Sequence, residues 1–299
     1  MSYHNPVLLQ ESVQALAIKK DGIYVDVTFG GGGHSKEILN QLGKNGKLFA
    51  FDQDADALQN TIDDSRFILI AENFRFISRY LRFHGIKNVD GILADLGVSS
   101  HQFDESARGF STRFDGDLDM RMNQKAKISA KEIINKYTEQ KLAEILFLHG
   151  ELRNSKNIAK TIVEERQKEK IETSFQLKKV LKKYLPKAVE HKILAQIYQS
   201  FRIEVNEELE ALKEFLNQTP NLLNDKGRLS VISYHSLEDR LVKRFMISGM
   251  FSGEPEKDIY GNSNIPLKKV GQLIVPSKEE IRQNNRARSA KLRIATLNK

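Results

Sequence analysis

The stretch IYVDVTFGGGGHS, residues 23–35, decides the fold. Its first five residues are mostly β-branched or aromatic and predict a buried strand, and four consecutive glycines follow within three residues. A helical pattern that ends at Gly43 comes next. Strand, glycine turn and helix in this order are typical of α/β folds in which the turn brings backbone amides close to a ligand.

Four more short apolar runs continue this alternation of strand and helix, which predicts a parallel sheet with crossover helices. We place these strands at residues 47–51, 66–70, 91–94 and 228–233. Two later strand candidates, residues 270–275 and 290–294, enclose a polar and strongly basic loop. The sequence therefore predicts an α/β fold.

Strand patterns are missing between about residues 105 and 205, where apolar residues recur at helical spacing. Ser129 and Glu132 have the spacing of a capping box at a helix start. Val205 opens the apolar face of a helix that is expected to return the chain to the sheet. We therefore expect an inserted all-helical domain at residues 105–205, between two parts of the α/β domain at residues 1–104 and 206–299.

Charge is distributed unevenly along the 299 residues. The 47 Lys and Arg against 39 Asp and Glu give a net charge of +8. Residues 125–192 hold 17 basic and 9 acidic side chains, and residues 268–299 hold 9 and 2. Basic sectors of this kind favour a polyanionic partner, because each phosphate contact releases counterions.

Cysteine is absent, which excludes disulfides, thiolate metal ligands and a cysteine nucleophile. Apolar runs stay well short of the about 20 residues that cross a bilayer. The first residues lack the basic and apolar regions of a secretory signal. We expect a cytoplasmic protein without a membrane partner.

Asp52 closes the second predicted strand, where a carboxylate accepts hydrogen bonds from ribose hydroxyls in dinucleotide-binding folds. Turn and acid together predict an adenosine-containing cofactor; a tight turn without a ligand is the alternative. His34 follows the glycines, so the third glycine of G-x-G-x-x-G is missing, and no P-loop motif occurs. S-adenosylmethionine, which lacks a pyrophosphate, fits this short turn better than NAD.

Seven blocks, spread in the same order over essentially the whole chain, resemble the bacterial 16S ribosomal RNA (cytosine-N4)-methyltransferase family, also called MraW or RsmH. The blocks are HNPVLL (4–9), TFGGGGHS (28–35), DLGVSS (95–100), RGFS (108–111), DLDMRM (117–122), HSLEDR (235–240) and RARS (286–289). The chain departs from the family pattern at Phe74, where His-Gly is common, and at Asp117, where Pro is common.

This resemblance implies a class I, Rossmann-like methyltransferase fold with a helical insertion. It implies S-adenosylmethionine as methyl donor and, as substrate, N4 of a decoding-centre cytidine of 16S ribosomal RNA in the small ribosomal subunit. The matching cofactor positions are Gly32, Gly33, His34, Asp52, Phe74, Asp95 and Gln102.

The catalytic candidates follow from the chemistry of an exocyclic amine, whose lone pair is delocalised into the base. An enzyme has to accept hydrogen bonds from the N–H groups of this amine and align its nitrogen with the methyl group. Positioning therefore supplies much of the acceleration. Asp95 ends the fourth predicted strand, at the rim where α/β sheets bind ligands. Ser99, Ser100 and His235 are further candidates. Asp95 as a simple turn cap, and His235 as a loop histidine, are the alternatives.

A base that reacts at its amine has to be unpaired or extruded, and aromatic side chains then stack on it. Phe110 and Phe114 are candidates for stacking, with a hydrophobic anchor for the loop as the alternative for both. Candidate phosphate contacts are Arg108, Arg113, Arg282, Arg286 and Arg288, the last three in the predicted basic loop.

Metal is not needed for this reaction, and none is expected. Asp115, Asp117 and Asp119 do not form a calcium loop, since the required glycine and bidentate glutamate positions hold Met120 and Ala126. We expect these aspartates to hold Arg121 or to cap the loop. A NAD-linked dehydrogenase and a ribosome assembly factor without turnover are the rival functions, and the sequence does not decide between a monomer and a homodimer.

Overall fold

The computed structural model describes residues 6–255, 260, 263 and 265–297. These residues form two compact units, one made of the described residues up to Gly97 and from Leu209 onward, the other of Val98–Glu208. His4, the first residue of the N-terminal motif, lies outside the described residues. Among those described, no helix is both long and apolar enough to cross a membrane.

The first unit is built on a seven-stranded sheet with the order β3-β2-β1-β4-β5-β7-β6. Strands β1 to β5 pair in parallel, whereas β7 is antiparallel to both of its neighbours. The strands are β1 (Ile23–Asp26), β2 (Lys47–Phe51), β3 (Phe67–Ile70), β4 (Val89–Asp95), β5 (Leu223–Ser233), β6 (Leu267–Lys269) and β7 (Lys291–Leu297). This order confirms the expected class I methyltransferase fold.

Helices cover both faces of this sheet, which explains why its strands are continuous apolar runs. One face is buried in a cluster around Phe49, Phe51 and Phe215, and the other in a cluster around Tyr24 and Leu48. The helices of this unit are α1 (Leu9–Gln14), α2 (Gly33–Gln41) and α3 (Ile77–Phe83) before the second unit. The second unit holds α4 (Ser100–Asp104), α5 (Ala130–Lys136), α6 (Glu139–Leu148), α7 (Ser155–Arg166), α8 (Ser174–Val180) and α9 (Glu190–Asn206). The chain then continues through α10 (Glu208–Leu222), α11 (Ser236–Ser248) and α12 (Lys278–Gln283).

The second unit is helical, with its own core around Ile133, Leu142, Ile158 and Phe201. The predicted capping box at the start of α5 is present, since the Ser129 amide donates to the Glu132 carboxylate over 3.0 Å. The limits of the inserted domain at residues 105 and 205 stay a prediction; the compact unit observed in the structure spans Val98–Glu208.

Three sequence-based expectations about elements were wrong. Residues 270–275 do not form a continuous strand: Ile274 makes an isolated antiparallel bridge to Leu292, Gly271 has a positive φ of 65° that turns the chain, and the strand that pairs with β7 here is β6. Val205 belongs to α9, because Glu207 adopts a left-handed φ of 49° and breaks the helix before α10. The basic loop is largely helical, with α12 followed by a 3-10 helix at Asn285–Ser289.

Candidate cofactor and catalytic site

Three carboxylates lie at the carboxyl ends of adjacent parallel strands. Asp26 ends β1, Asp52 follows β2 directly, and Asp95 ends β4. Because β2, β1 and β4 are neighbours in the sheet, these side chains share the edge at which open α/β sheets bind ligands. Asp52 and Asp95 were predicted from sequence, whereas Asp26 was missed although it ends the first strand.

Burial is the main electrostatic influence on all three groups. It raises the pKa of Asp26, of Asp52 and of Asp95 to about 6 in each case, since the charged form loses its hydration. Hydrogen bonds oppose this shift; for Asp26 they come from Ser35 Oγ at 2.7 Å and from the Thr28 amide at 3.1 Å. The edge therefore holds acids that change protonation near neutral pH.

The glycine turn is held by Asp52. One carboxylate oxygen accepts from the Gly30 amide at 2.8 Å, and the other accepts from the Asp54 amide at 2.9 Å. Gly32 has a left-handed φ of 75°, which disfavours any other residue, and it forms the N-cap of α2. At Gly33 a Cβ would overlap the ring of Pro6, so this position needs a glycine for internal packing as well.

His34 is buried in the first turn of α2 and lies between the chain near Val7 and the strand edge. Its Nε2 is 3.2 Å from the Val7 carbonyl oxygen, and its Nδ1 is 3.8 Å from Asp95 Oδ2. Burial lowers the pKa of His34, which favours the neutral ring. Because a carbonyl only accepts, the proton of that neutral ring is on Nε2, and Nδ1 faces the acid with a lone pair.

Asp95 is fixed by two neighbours. Its Oδ1 accepts from the Tyr234 hydroxyl at 2.8 Å, and its backbone amide donates to Thr28 Oγ1 at 2.6 Å. Sequence reasoning missed both partners, although Tyr234 directly precedes the predicted His235. The first unit thus brings together Asp95, His34 and Tyr234 around one carboxylate.

Phe74 follows β3 and opens a 3-10 helix at Phe74–Phe76, which is capped by Asn73. Its ring is half-buried and makes an edge contact with Phe215, with centroids 5.4 Å apart. The side-chain Nδ2 of Asn73 also donates to Gln53 Oε1 at 2.9 Å, which ties this segment to the residue after Asp52. A contact between Phe74 and an adenine stays a prediction.

Ser99, Ser100 and Gln102 belong to the second unit and are described there. Ser99 caps α4: its Oγ accepts from the Gln102 amide at 3.2 Å, while Gln102 Oε1 accepts from the Ser99 amide at 3.0 Å. Ser100 is the first residue of α4 and half-buried. The observed role of Ser99 and Gln102 is helix capping, and their contacts with cofactor or base stay predictions.

His235 caps α11 and is bound to its own helix. Nδ1 accepts from the Glu238 amide at 3.4 Å, and Nε2 lies 3.1 Å from Glu238 Oε1. This arrangement favours the alternative of a structural histidine. Its catalytic role stays a prediction.

Arg108 and Phe110 were predicted to contact RNA, which stays a prediction, although neither side chain lies at the surface. Both are buried in the second unit; the Arg108 guanidinium donates to the carbonyls of Arg121 and Met122 at 3.0 and 3.2 Å. Phe110 belongs to the apolar core of that unit, a position that fits the alternative interpretation of a hydrophobic anchor for the loop. Arg113 and Phe114 are exposed, and Phe114 retains 51% of its surface.

Two of the three aspartates in the loop 115–119 hold basic side chains. Asp119 binds Arg121 through both carboxylate oxygens, at 2.8 and 2.7 Å, and Asp117 lies 3.5 Å from Lys131. Asp115 accepts from the Phe175 amide at 3.0 Å and so caps the first turn of α8. The Asp119 contact is the expected one with Arg121, whereas the partners of Asp117 and Asp115 were not predicted.

The remaining RNA candidates lie on α12 and on the 3-10 helix after it. Arg282 and Arg288 are exposed, and Arg286 is half-buried. The Glu279 carboxylate lies 3.6 Å from the Arg282 guanidinium, in a pair that is exposed on both sides. Helical structure does not remove these cations from the surface, so their contact with phosphate stays a prediction.

The model of one protein family, described as the MraW methylase family, matches residues 1–298. The chain belongs to this family. MraW-family relatives share most of their length with it. Three named "Ribosomal RNA small subunit methyltransferase H" come from Flavobacterium johnsoniae (67% identity; 99% of this chain and 98% of the relative), Christiangramia forsetii (66%; 99% and 98%) and Flavobacterium psychrophilum (63%; 96% and 99%).

Proposed function

We propose that this chain transfers a methyl group from S-adenosylmethionine to the exocyclic N4 of a decoding-centre cytidine in 16S ribosomal RNA of the small subunit. Family membership over nearly the whole chain carries this proposal, and the names of the relatives support the RNA class. With an RNA substrate of this kind, we also propose that the protein acts on ribosomal subunits in the cytoplasm.

The residues at the strand edge fit the cofactor. Each Asp52 oxygen already accepts one backbone amide, and an ionised carboxylate offers about four lone-pair sites. Two sites are therefore left for the two ribose hydroxyls. Half-buried Phe74 offers a ring surface for the adenine, one strand away from Asp52. When bound, S-adenosylmethionine supplies an electrophilic methyl group.

Asp95 is the residue best placed to accept a hydrogen bond from an N–H group near the methyl group of the cofactor. It lies at the carboxyl end of β4, and among the described residues its Oδ2 faces the neutral His34 ring rather than a donor at hydrogen-bonding distance. Its carboxylate can bind either the amino group of the cofactor or the amine of cytosine. In the first role it would align the methyl donor and in the second the nucleophile, and positioning of this kind supplies much of the acceleration.

Methyl transfer tests the proposal directly. Purified protein, tritium-labelled S-adenosylmethionine and small subunits from a strain that lacks the gene should give labelled RNA, and mass spectrometry of its nucleosides should show N4-methylated cytidine. Methylation at another atom would refute the N4 assignment. Cofactor binding with no label transferred would favour the assembly factor, and preference for NADH in calorimetry would favour the dehydrogenase.

The exposed arginines after residue 277 lead to a prediction about RNA affinity. Replacing Arg282 and Arg288 together by Ala should weaken RNA binding and reduce the slope of log K against log salt by about two, because two phosphate contacts release fewer counterions. Filter binding at salt concentrations from about 50 to about 300 mM measures this slope.

Lys44 and Lys47 provide the matched control, since both are exposed but lie at the opposite edge of the sheet, where β2 begins. The double change to Ala there should leave the slope unchanged. Equal slopes in wild type and the Arg282/Arg288 variant would remove α12 and the helix after it from the RNA interface.

A further inference from the structure

Tyr234 is the residue directly after β5, and it contacts the end of the neighbouring strand. In the parallel pairing of β4 and β5, Asp95 is in register with Ile232, so Tyr234 lies two residues farther along the same face. Its ring is packed against the apolar cluster around Ile232 and Leu292. The hydroxyl therefore reaches Asp95 from a side chain whose ring is held in place.

The contact distinguishes the two oxygens of the Asp95 carboxylate. Oδ1 accepts the Tyr234 proton at 2.8 Å, and Oδ2 lies 3.8 Å from His34 Nδ1. The backbone of Asp95 is fixed independently, by its amide bond to Thr28 Oγ1. Rotation of the carboxylate would break the Tyr234 hydrogen bond, so the tyrosine determines which oxygen is left for a ligand.

We propose that Tyr234 is a positioning residue for methyl transfer: its hydroxyl binds Oδ1 of Asp95 and so presents Oδ2, in its ionised form, to an N–H group of substrate or cofactor. This inference rests on the proposed function, in which Asp95 accepts such a bond. Tyr234 itself touches neither reactant in this role.

Several titratable groups face Asp95 from the elements packed around it. His34 faces it from α2, Asp26 from β1 and Glu238 from α11. Burial raises the pKa of Asp95 to about 6, and the Tyr234 hydrogen bond opposes this rise because it stabilises the ionised form. Loss of the hydroxyl therefore raises the pKa further, and the active ionised form appears only at higher pH.

The test is the pH profile of methyl transfer by Tyr234→Phe. The acid limb should move upward by about one unit, the size expected for one hydrogen bond to a charged group. The rate below the limb should then fall about tenfold, whereas the plateau at high pH should stay within about twofold of wild type. A limb that stays in place would overturn the proposal.

Tyr24→Phe is the matched control. Tyr24 is also buried, and its hydroxyl accepts from the Lys19 amide at 2.7 Å, near the start of β1 and away from Asp95. Removing this hydroxyl should leave the acid limb unchanged. An equal shift in both variants would show a general effect of losing a buried hydroxyl and would contradict the proposal.

An NMR titration of two variants separates this inference from the proposed function. Carbon-13 NMR follows the Asp95 carboxyl without any turnover: its midpoint should rise in Tyr234→Phe and fall with 3-fluorotyrosine at position 234, which is a stronger donor and keeps the ring. An unchanged midpoint in both would overturn the inference even if methyl transfer is active. A wild type without methyl transfer would refute the function, while the NMR titration would still decide whether Tyr234 controls Asp95.

Discussion

Replacing Asp52 by Ala is expected to raise the dissociation constant for S-adenosylmethionine about 100-fold, which corresponds to about 2.7 kcal/mol. The carboxylate would accept two ribose hydroxyls, and a hydrogen bond to a charged group contributes about 1.5–3 kcal/mol. The same oxygens hold the Gly30 and Asp54 amides, so the variant also loses the contacts that shape the glycine turn.

Isothermal titration calorimetry at pH 8 measures this loss. Asp63→Ala is the matched control, because Asp63 is an exposed aspartate a short distance along the same loop. Its affinity should equal that of wild type. A dissociation constant for Asp52→Ala within about twofold of wild type would refute the ribose contact.

The pH dependence of binding follows from the pKa of Asp52, which burial raises to about 6. If the ionised form binds the ribose, affinity should be constant above pH 7 and fall up to about tenfold for each pH unit below 6. Asp52→Asn should bind more weakly at pH 8 and lose most of this dependence. A wild type with constant affinity from pH 5 to 8 would contradict the assignment.

The same raised pKa values make folding stability fall as pH rises, whereas the affinity for the cofactor is expected to rise. Asp26, Asp52 and Asp95 bind protons more tightly in the folded chain, so their contribution to stability is fully present below their unfolded pKa of 3.8 and is lost as pH rises through about 6. At neutral pH the strand edge therefore destabilises the fold. Hydrogen-bond donors of a ligand would compensate these charges, which is consistent with a binding site.

Local signals explain what the sequence predicts correctly. The strands β1 to β4 and the second half of β5 are short apolar runs, and the capping box at Ser129 depends on residues three apart. Gly32 and Asp52 could be placed because the glycine turn and the end of β2 are each recognisable within a few residues. Their proximity follows from parallel pairing of β1 and β2 alone.

Long-range contacts explain what it does not predict. Tyr234 reaches Asp95 because β4 and β5 are neighbours, although 139 residues separate them in the chain. Arg108 resembles a surface cation in sequence, but its partners are backbone carbonyls of 121 and 122, which no side-chain pattern reveals. The helix α12 was missed because its polar residues show no apolar periodicity.

Gly109→Ala is expected to destabilise the second unit by about 4 kcal/mol, a loss typical of severe backbone disruption. Gly109 has a left-handed φ of 71°, which costs an alanine about 1–2 kcal/mol. A Cβ at this position would also overlap the Asp117 carbonyl oxygen and lie 2.8 Å from the Asp119 amide nitrogen. The backbone at residues 117–119 would have to move, and the bond from the Met120 amide to the Arg108 carbonyl would be strained with it.

Gly85→Ala separates these two causes. Gly85 has nearly the same φ, 74°, but a Cβ there would meet no atom of the described residues within 4 Å, so this control carries the conformational cost without the overlap. Hydrogen exchange should show faster opening of peptides from residues 105–125 in Gly109→Ala, and thermal unfolding should occur well below that of Gly85→Ala. Equal stability of the two variants would show that the 117–119 segment yields without cost, and the tight packing of RGFS against DLDMRM would then not explain why this turn needs its glycine.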